Sequence, residues 1–274
     1  MHYVSTAVLK GTNRGFEKNL FRTLEIYKRL GIKNIELGSV HEYIPDLKPL
    51  FKYKKENDAN FIIHTFFPPT KEPMMVNLAS KNEEFLKKSL TVAKNAIELC
   101  NELESDLYSM HPGLLRDYTQ NMDPLSEFMD HDEAVEKTIA SLNEIIDYAK
   151  NYDVKIAIEN MMVKLNVFYD YHDFLKVFKE VRYKKLGLLL DIGHLNYSLK
   201  DLNSKIEFVD KLRDKIFEMH IHELDSFNKD HKKLVNPDIL KPFNIDTKNI
   251  ALTLESNGLD EKDIIDSKRI LETL

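Results

Sequence analysis

A chain of 274 residues, 43% of them hydrophobic, can bury a large core and is expected to form one domain over residues 1–274. Its net charge of −6 argues against a basic stripe built to grip nucleic acid, and its lone cysteine, Cys100, excludes internal disulfides and sulfur-rich zinc sites. No run approaches the roughly 20 apolar residues of a membrane span, and the opening MHYVSTAVLKG lacks a signal peptide's basic start and apolar stretch, so a soluble cytoplasmic enzyme is expected.

Short apolar runs alternate with longer segments of helical period, the pattern of a parallel sheet wrapped by helices. In chain order the runs are YVSTAV near residue 3, NIELGS from Asn34, NFIIHTF from Asn60, DLYSMHPG from Asp106, VKIAIEN from Val154, LGLLLDIGH from Leu186, IFEMHIHE from Ile216 and IALTLES from Ile250. Each is followed by a helix candidate, with residues 83–103 and 132–152 the clearest amphipathic patterns. These units count out an α/β fold of the closed (β/α)8 kind. A doubly wound open sheet would have fewer strands and commonly a Gly-rich phosphate turn after the first, which is absent. The long connections, 66–80 after strand 3 and 114–130 after strand 4, follow strands and therefore belong to the face where barrels carry their sites.

Ionisable side chains are costly in apolar strands unless paired, so their placement is informative. Strand 3 ends in His64, strand 4 in His111, strand 5 in Glu159, strand 6 in Asp191 with His194 close behind, strand 7 in His220 and His222, and strand 8 in Glu255. One histidine in a strand is usually a satisfied structural residue; polar groups at the same end of successive parallel strands converge on one mouth. Carboxylates crowded there repel, and a divalent cation with histidine partners relieves the repulsion. His2, His41, His131 and His172 read instead as surface or loop residues. The segment FFPPTKEPMM, with Phe66 and Phe67, reads either as a wall of a small-molecule pocket or as a rigid loop packed on the rim.

The segments IIHTF, VNLAS, MHPG, AIEN, LLLDIGHLN, MHIHELDS and LTLES, in that order, resemble the xylose isomerase-like barrel superfamily, which includes endonuclease IV, sugar epimerases and sugar-phosphate isomerases. The resemblance covers nearly the whole chain. It implies that Glu159, Asp191, His220 and Glu255 hold one divalent ion, zinc or manganese, with cobalt, iron or magnesium also suited to such donors. It implies a further ion near His64, His111, His194 and His231, and places His222 at the substrate-facing rim, although His220 and His222 share a strand face. The endonuclease IV cluster also needs an Asp-x-His pair after strand 7. Here the run is Lys229, Asp230, His231, with the aspartate one position late and a lysine in its place, which lowers the expectation from three ions to one or two.

The leading functional expectation is a metal-dependent isomerase or epimerase of a sugar or sugar phosphate, with Glu159 and Glu255 as acid and base and Lys71, Lys229 or Arg116 to meet a phosphate. An apurinic endonuclease acting on DNA is the alternative, and a non-catalytic metal-binding barrel the third reading. Apolar helix stripes serve a barrel core and a dimer face alike, so self-association stays open.

Overall fold

Leucine, isoleucine and valine dominate the strands because each is covered on both sides, by the barrel interior and by the helical ring. In the computed structural model, which describes all residues except 12–14, 39, 66, 73, 120, 121, 164, 226 and 228, the strands are β1 (His2–Ser5), β2 (Asn34–Leu37), β3 (Asn60–His64), β4 (Leu107–Met110), β5 (Lys155–Glu159), β6 (Leu186–Asp191), β7 (Ile216–Ile221) and β8 (Ala251–Leu254). They pair in parallel in sequence order, and β8 closes on β1. The expected closed barrel is therefore present, and each anticipated apolar run contains its strand except the first, where β1 begins one residue earlier, at His2.

The helices are α1 (Leu20–Arg29), α2 (Lys48–Asn57), α3 (Glu83–Glu102), α4 (His131–Ala149), α5 (Tyr171–Glu180), α6 (Ile192–Ser198), α7 (Leu202–Leu212) and α8 (Glu261–Leu271). Side-chain caps start most of them: Asn82 accepts from the Phe85 N–H at α3, and Asp130 from the Asp132 and Glu133 N–H groups at α4. Their distribution departs from one helix per strand. Both α6 and α7 follow β6, and between β7 and β8 the described residues form only a 3-10 turn, Lys241–Phe243. His2 is likewise not a surface or loop residue but a half-buried part of β1. Among the described residues no helix is long and apolar enough to cross a membrane.

The two long loops on the strand-exit face are tied together by a buried polar hub. Asn77 Oδ1 accepts from the Ala79 and Leu114 N–H groups at 3.0 and 2.9 Å, and its Nδ2 donates to Asp117 Oδ1 at 2.8 Å. Ser80 Oγ donates to the other Asp117 oxygen at 2.8 Å. A Cβ on Gly113 would stand 3.0 Å from Asn77 Oδ1 and 3.2 Å from the Ala79 nitrogen, so the glycine of MHPG lets the loops close on each other. Asn77→Ala leaves buried donors and an acceptor unpaired and should lower stability by about 2–4 kcal/mol. A urea midpoint unchanged from wild type, at the same slope, would show that the hub does not hold the loops.

Candidate metal centre

Glu159 and Asp191 are the last residues of β5 and β6, His220 is the penultimate residue of β7, and Glu255 directly follows β8. A register shift between Leu188 and Leu189 brings Asp191 level with His220. Asn160 fastens the neighbouring ends: its Oδ1 accepts from the Asp191 N–H at 2.7 Å and its Nδ2 donates to the Asp191 carbonyl at 3.0 Å. Donor atoms of Glu159, Asp191 and His220 lie within 4.8 Å of one another, and Glu255 Oε2 is 2.8 Å from His220 Nδ1.

Whether these residues suit a cation can be judged from their unsatisfied atoms. Glu159 Oε2, His220 Nδ1 and Glu255 Oε2 are buried without an aligned hydrogen bond, despite the short His220–Glu255 approach. Buried polar atoms are normally paired, and orphans that converge on one another fit an ion between them. The tautomers agree. His194 Nδ1 lies 3.0 Å from the Asn160 carbonyl and His231 Nδ1 2.8 Å from the Glu255 carbonyl; both partners only accept, so each Nδ1 carries a hydrogen and, once its ring is neutral, each Nε2 offers its lone pair. Ser109 Oγ, 3.1 Å from His64 Nδ1, has the Ile63 carbonyl as its own acceptor, which likewise leaves His64 Nε2 as the open nitrogen.

The histidines expected around one further ion divide into two sets. His64 and His111 group with Glu159, their Nε2 atoms 3.6 and 3.1 Å from its Oε2. His194 and His231 group with Asp230, their Nε2 atoms 3.9 and 3.6 Å from its Oδ2. The late position of Asp230 in the loop does not keep it from these histidines, while Lys229 is exposed beside it.

Other expectations are corrected. His222 does not face a substrate: it is fully buried, its Nδ1 accepts from the His231 N–H at 2.8 Å, and its Nε2 lies 3.1 and 3.0 Å from the two Asp191 oxygens. Its place depends on Gly193 of the DIGH run, where a Cβ would stand 1.8 Å from His222 Cε1. Phe67 is not a pocket wall but part of the hydrophobic core, and Phe66 lies outside the described residues. His131 pairs with Asp173 Oδ2 at 3.0 Å at the start of α4, whereas His172 is exposed on α5, in keeping with its reading as a surface residue. His41 is buried, not a surface residue, with neither ring nitrogen in an aligned hydrogen bond.

Two buried carboxylates escaped the sequence reading. Glu36 on β2 has its Oε2 2.7 Å from His220 Nε2, and Glu218 on β7 accepts from Thr253 Oγ1 at 2.8 Å. The signal was there: NIELGS carries a glutamate inside an apolar strand, and Glu218, His220 and His222 repeat with the strand period of two.

Charge is balanced by imidazoles. Burial would raise the Glu159 pKa, but His111 and His194 hold it well below the carboxylate range; burial likewise opposes, and His194 and His222 enforce, a low Asp191 value. Against its own burial, His194 is pushed up to about 10 by Asp191 and Glu159, and His220 is raised by Glu255 and Glu36. Protons and a divalent cation therefore compete for the same donors. Away from these donors, a cavity of about 490 Å³ opens on the same face, lined by Lys18, His41, Tyr43, Lys71 and Met74 among others. Arg116 is engaged with the Tyr118 and Phe128 rings.

A family model described as xylose isomerase-like TIM barrel matches residues 24–271. A Methanocaldococcus jannaschii protein described as uncharacterised is 27% identical over 239 residues, 83% of this chain and 74% of its own length. A probable endonuclease 4 of Aquifex aeolicus is 26% identical over 140 residues, 50% of this chain and 45% of that protein. The crystal structure of a D-tagatose 3-epimerase-like protein superposes with a TM-score of 0.72 at 24% identity, covering 99% of this chain and 95% of that one, a likeness of fold.

His41 gives the centre's surroundings a pH dependence. Burial lowers its pKa from 6.5 to about 4, although the Lys18 and Glu17 backbone opposes the shift. A folded-state value below the unfolded one means the unfolded chain takes the proton first, so stability is complete above 6.5 and falls as the pH drops towards 4. Between pH 7 and 4, wild type should lose about 3 kcal/mol more than His41→Leu. Parallel stability profiles for the two proteins would contradict this assignment.

Proposed function

The chain belongs to the xylose isomerase-like TIM barrel family, and from that premise we propose that it is a metal-dependent isomerase or epimerase acting on a sugar or sugar phosphate. The observation that carries the proposal is that buried His220 joins both sides of the set: its Nδ1 lies 2.8 Å from the orphaned Glu255 Oε2, and it groups with the buried carboxylates of Glu159 and Asp191. Glu159, Asp191, His220 and Glu255 would hold the ion, zinc or manganese being the leading identities for such donors. When bound, that ion supplies polarisation of a carbonyl and hydroxyl pair on an open-chain sugar, which acidifies the neighbouring C–H.

The chain's own groups supply the rest. Glu159 is almost fully buried, whereas the Glu255 side chain is 12% exposed and lies beside the part-exposed His231, 3.5 Å from its Nδ1. Glu255 is thus placed to take a proton from a ligand entering there, and Glu159 to return one from beneath. His222 and Asn160 keep Asp191 oriented through the contacts above, so the donor set is held before a ligand arrives. Lys229, exposed next to Asp230, and Lys71, exposed on the lining of the separate cavity, are the cations left to meet a substrate phosphate, Arg116 being engaged with aromatic rings. The epimerase-like fold neighbour supports this substrate class.

One observation favours a second reading, an apurinic endonuclease. Donors for three ion sites occur together: His64, His111 and Glu159; Glu159, Asp191 and His220, which share Glu159 with the first; and, apart from these, His194, Asp230 and His231. Clustered ions of that kind suit hydrolysis of a phosphodiester, and the partial likeness to a probable endonuclease 4 points the same way.

Protein loaded with Mn²⁺, Co²⁺ or Zn²⁺ and incubated in D2O with ketoses and their phosphates should incorporate solvent deuterium. Glu159→Gln and Glu255→Gln should each reduce the rate by roughly a hundredfold or more, the scale of a lost acid or base. Three zinc ions per chain with incision of an abasic oligonucleotide, abolished in Glu159→Gln, would overturn the isomerase reading. Bound metal with neither activity would instead favour a binding protein.

A further inference from the structure

We propose that Glu36 is a positioning residue for the metal centre: from β2 it claims the Nε2 hydrogen of His220 and thereby presents the Nδ1 lone pair to the cation. The inference rests on the reading of Glu159, Asp191, His220 and Glu255 as the donor set. Glu36 sits between the buried Ile35 and Leu37 on β2, and both it and His220 are fully buried. Its Oε2 lies 2.7 Å from His220 Nε2, and no lysine or arginine pairs with it among the described residues.

Hydrogen-bond valence gives this contact its consequence. A neutral imidazole has one N–H and one lone pair, and an ionised carboxylate can only accept. When Glu36 is ionised and holds the Nε2 hydrogen, the lone pair of a neutral His220 lies on Nδ1, the atom 2.8 Å from Glu255 Oε2 and 3.8 Å from Asp191 Oδ2. Without Glu36, the hydrogen is free to move to Nδ1 and bond Glu255, which removes His220 from the donor set and occupies a Glu255 oxygen as well. Glu218 does not substitute: its Oε1 is 3.7 Å from His220 Nε2 and already accepts from Thr253.

The test uses full-length protein stripped of metal and titrated with Zn²⁺ or Mn²⁺ by calorimetry, together with ¹⁵N-histidine spectra of the loaded wild type. The spectra should show His220 protonated on Nε2. Glu36→Ala should weaken the tightest ion roughly ten- to a hundredfold, with Glu36→Gln between it and wild type, because the amide oxygen can still accept the hydrogen. Tyr53→Phe, which removes a buried hydrogen bond between α2 and α1, should leave affinity unaltered and so separates positioning from lost stability. Folded Glu36 variants that bind the ion as tightly as wild type would overturn the role of Glu36 alone, and a loaded wild type with the hydrogen on Nδ1 would remove His220 from the donor set as well. A wild type that binds no divalent ion would overturn the donor set and this role with it.

Discussion

Burying carboxylates inside a closed sheet without a buried lysine or arginine is the constraint on which this architecture turns. Glu36, Glu159, Asp191 and Glu218 are enclosed by the barrel, and among the described residues every buried ionisable partner that could carry positive charge is a histidine. A buried, uncompensated charge would destabilise the fold severely, so each carboxylate is matched by an imidazolium group or a cation, or is drawn towards its protonated form, as burial draws Glu36, pushed up to about 8 although His220 opposes the shift. The raised His194 and His220 values are the proton solution to that problem. The orphaned atoms of Glu159, His220 and Glu255 mark where a cation solves it instead.

Hydrogen-bond partners separate the roles of chemically similar residues. His220 and His222 are two residues apart on the same strand face, yet a backbone N–H occupies Nδ1 of His222, while His220 keeps Nδ1 turned towards Glu255. Donation from His222 Nε2 steadies Asp191. The same logic opens the Nε2 atoms of His194 and His231 towards Asp230. Ring orientation is thus set by carbonyls and amides at the strand ends and not by the imidazoles themselves.

Much of the fold was legible because parallel strands declare themselves as apolar runs with polar residues at their exits, as in AIEN and LLLDIGH. The less legible features depend on events off the strand. His222 looked like a rim residue because the fold of the 222–250 segment, which delivers the His231 N–H, has no periodic signature. Phe67 looked accessible because loop composition does not reveal that the chain turns inward after β3. Glu36 was passed over because it ends no strand, although a lone acid in an apolar run is itself a demand for a partner. Asp230 looked misplaced because sequence spacing cannot measure how a loop folds.

The connection from β7 to β8 lacks an α-helix among its described residues, and it carries His222, Asp230 and His231. Elsewhere the exit loops pass into helices that also wall the barrel, so reshaping them disturbs packing. Here that duty falls to Leu234, Leu240 and Phe243, which are buried in the core, and the stretch before them that carries Asp230 and His231 is released from it. The segment is consequently the place where a barrel of this design can gain or shed an ion and exchange one chemistry for another while its scaffold stays intact.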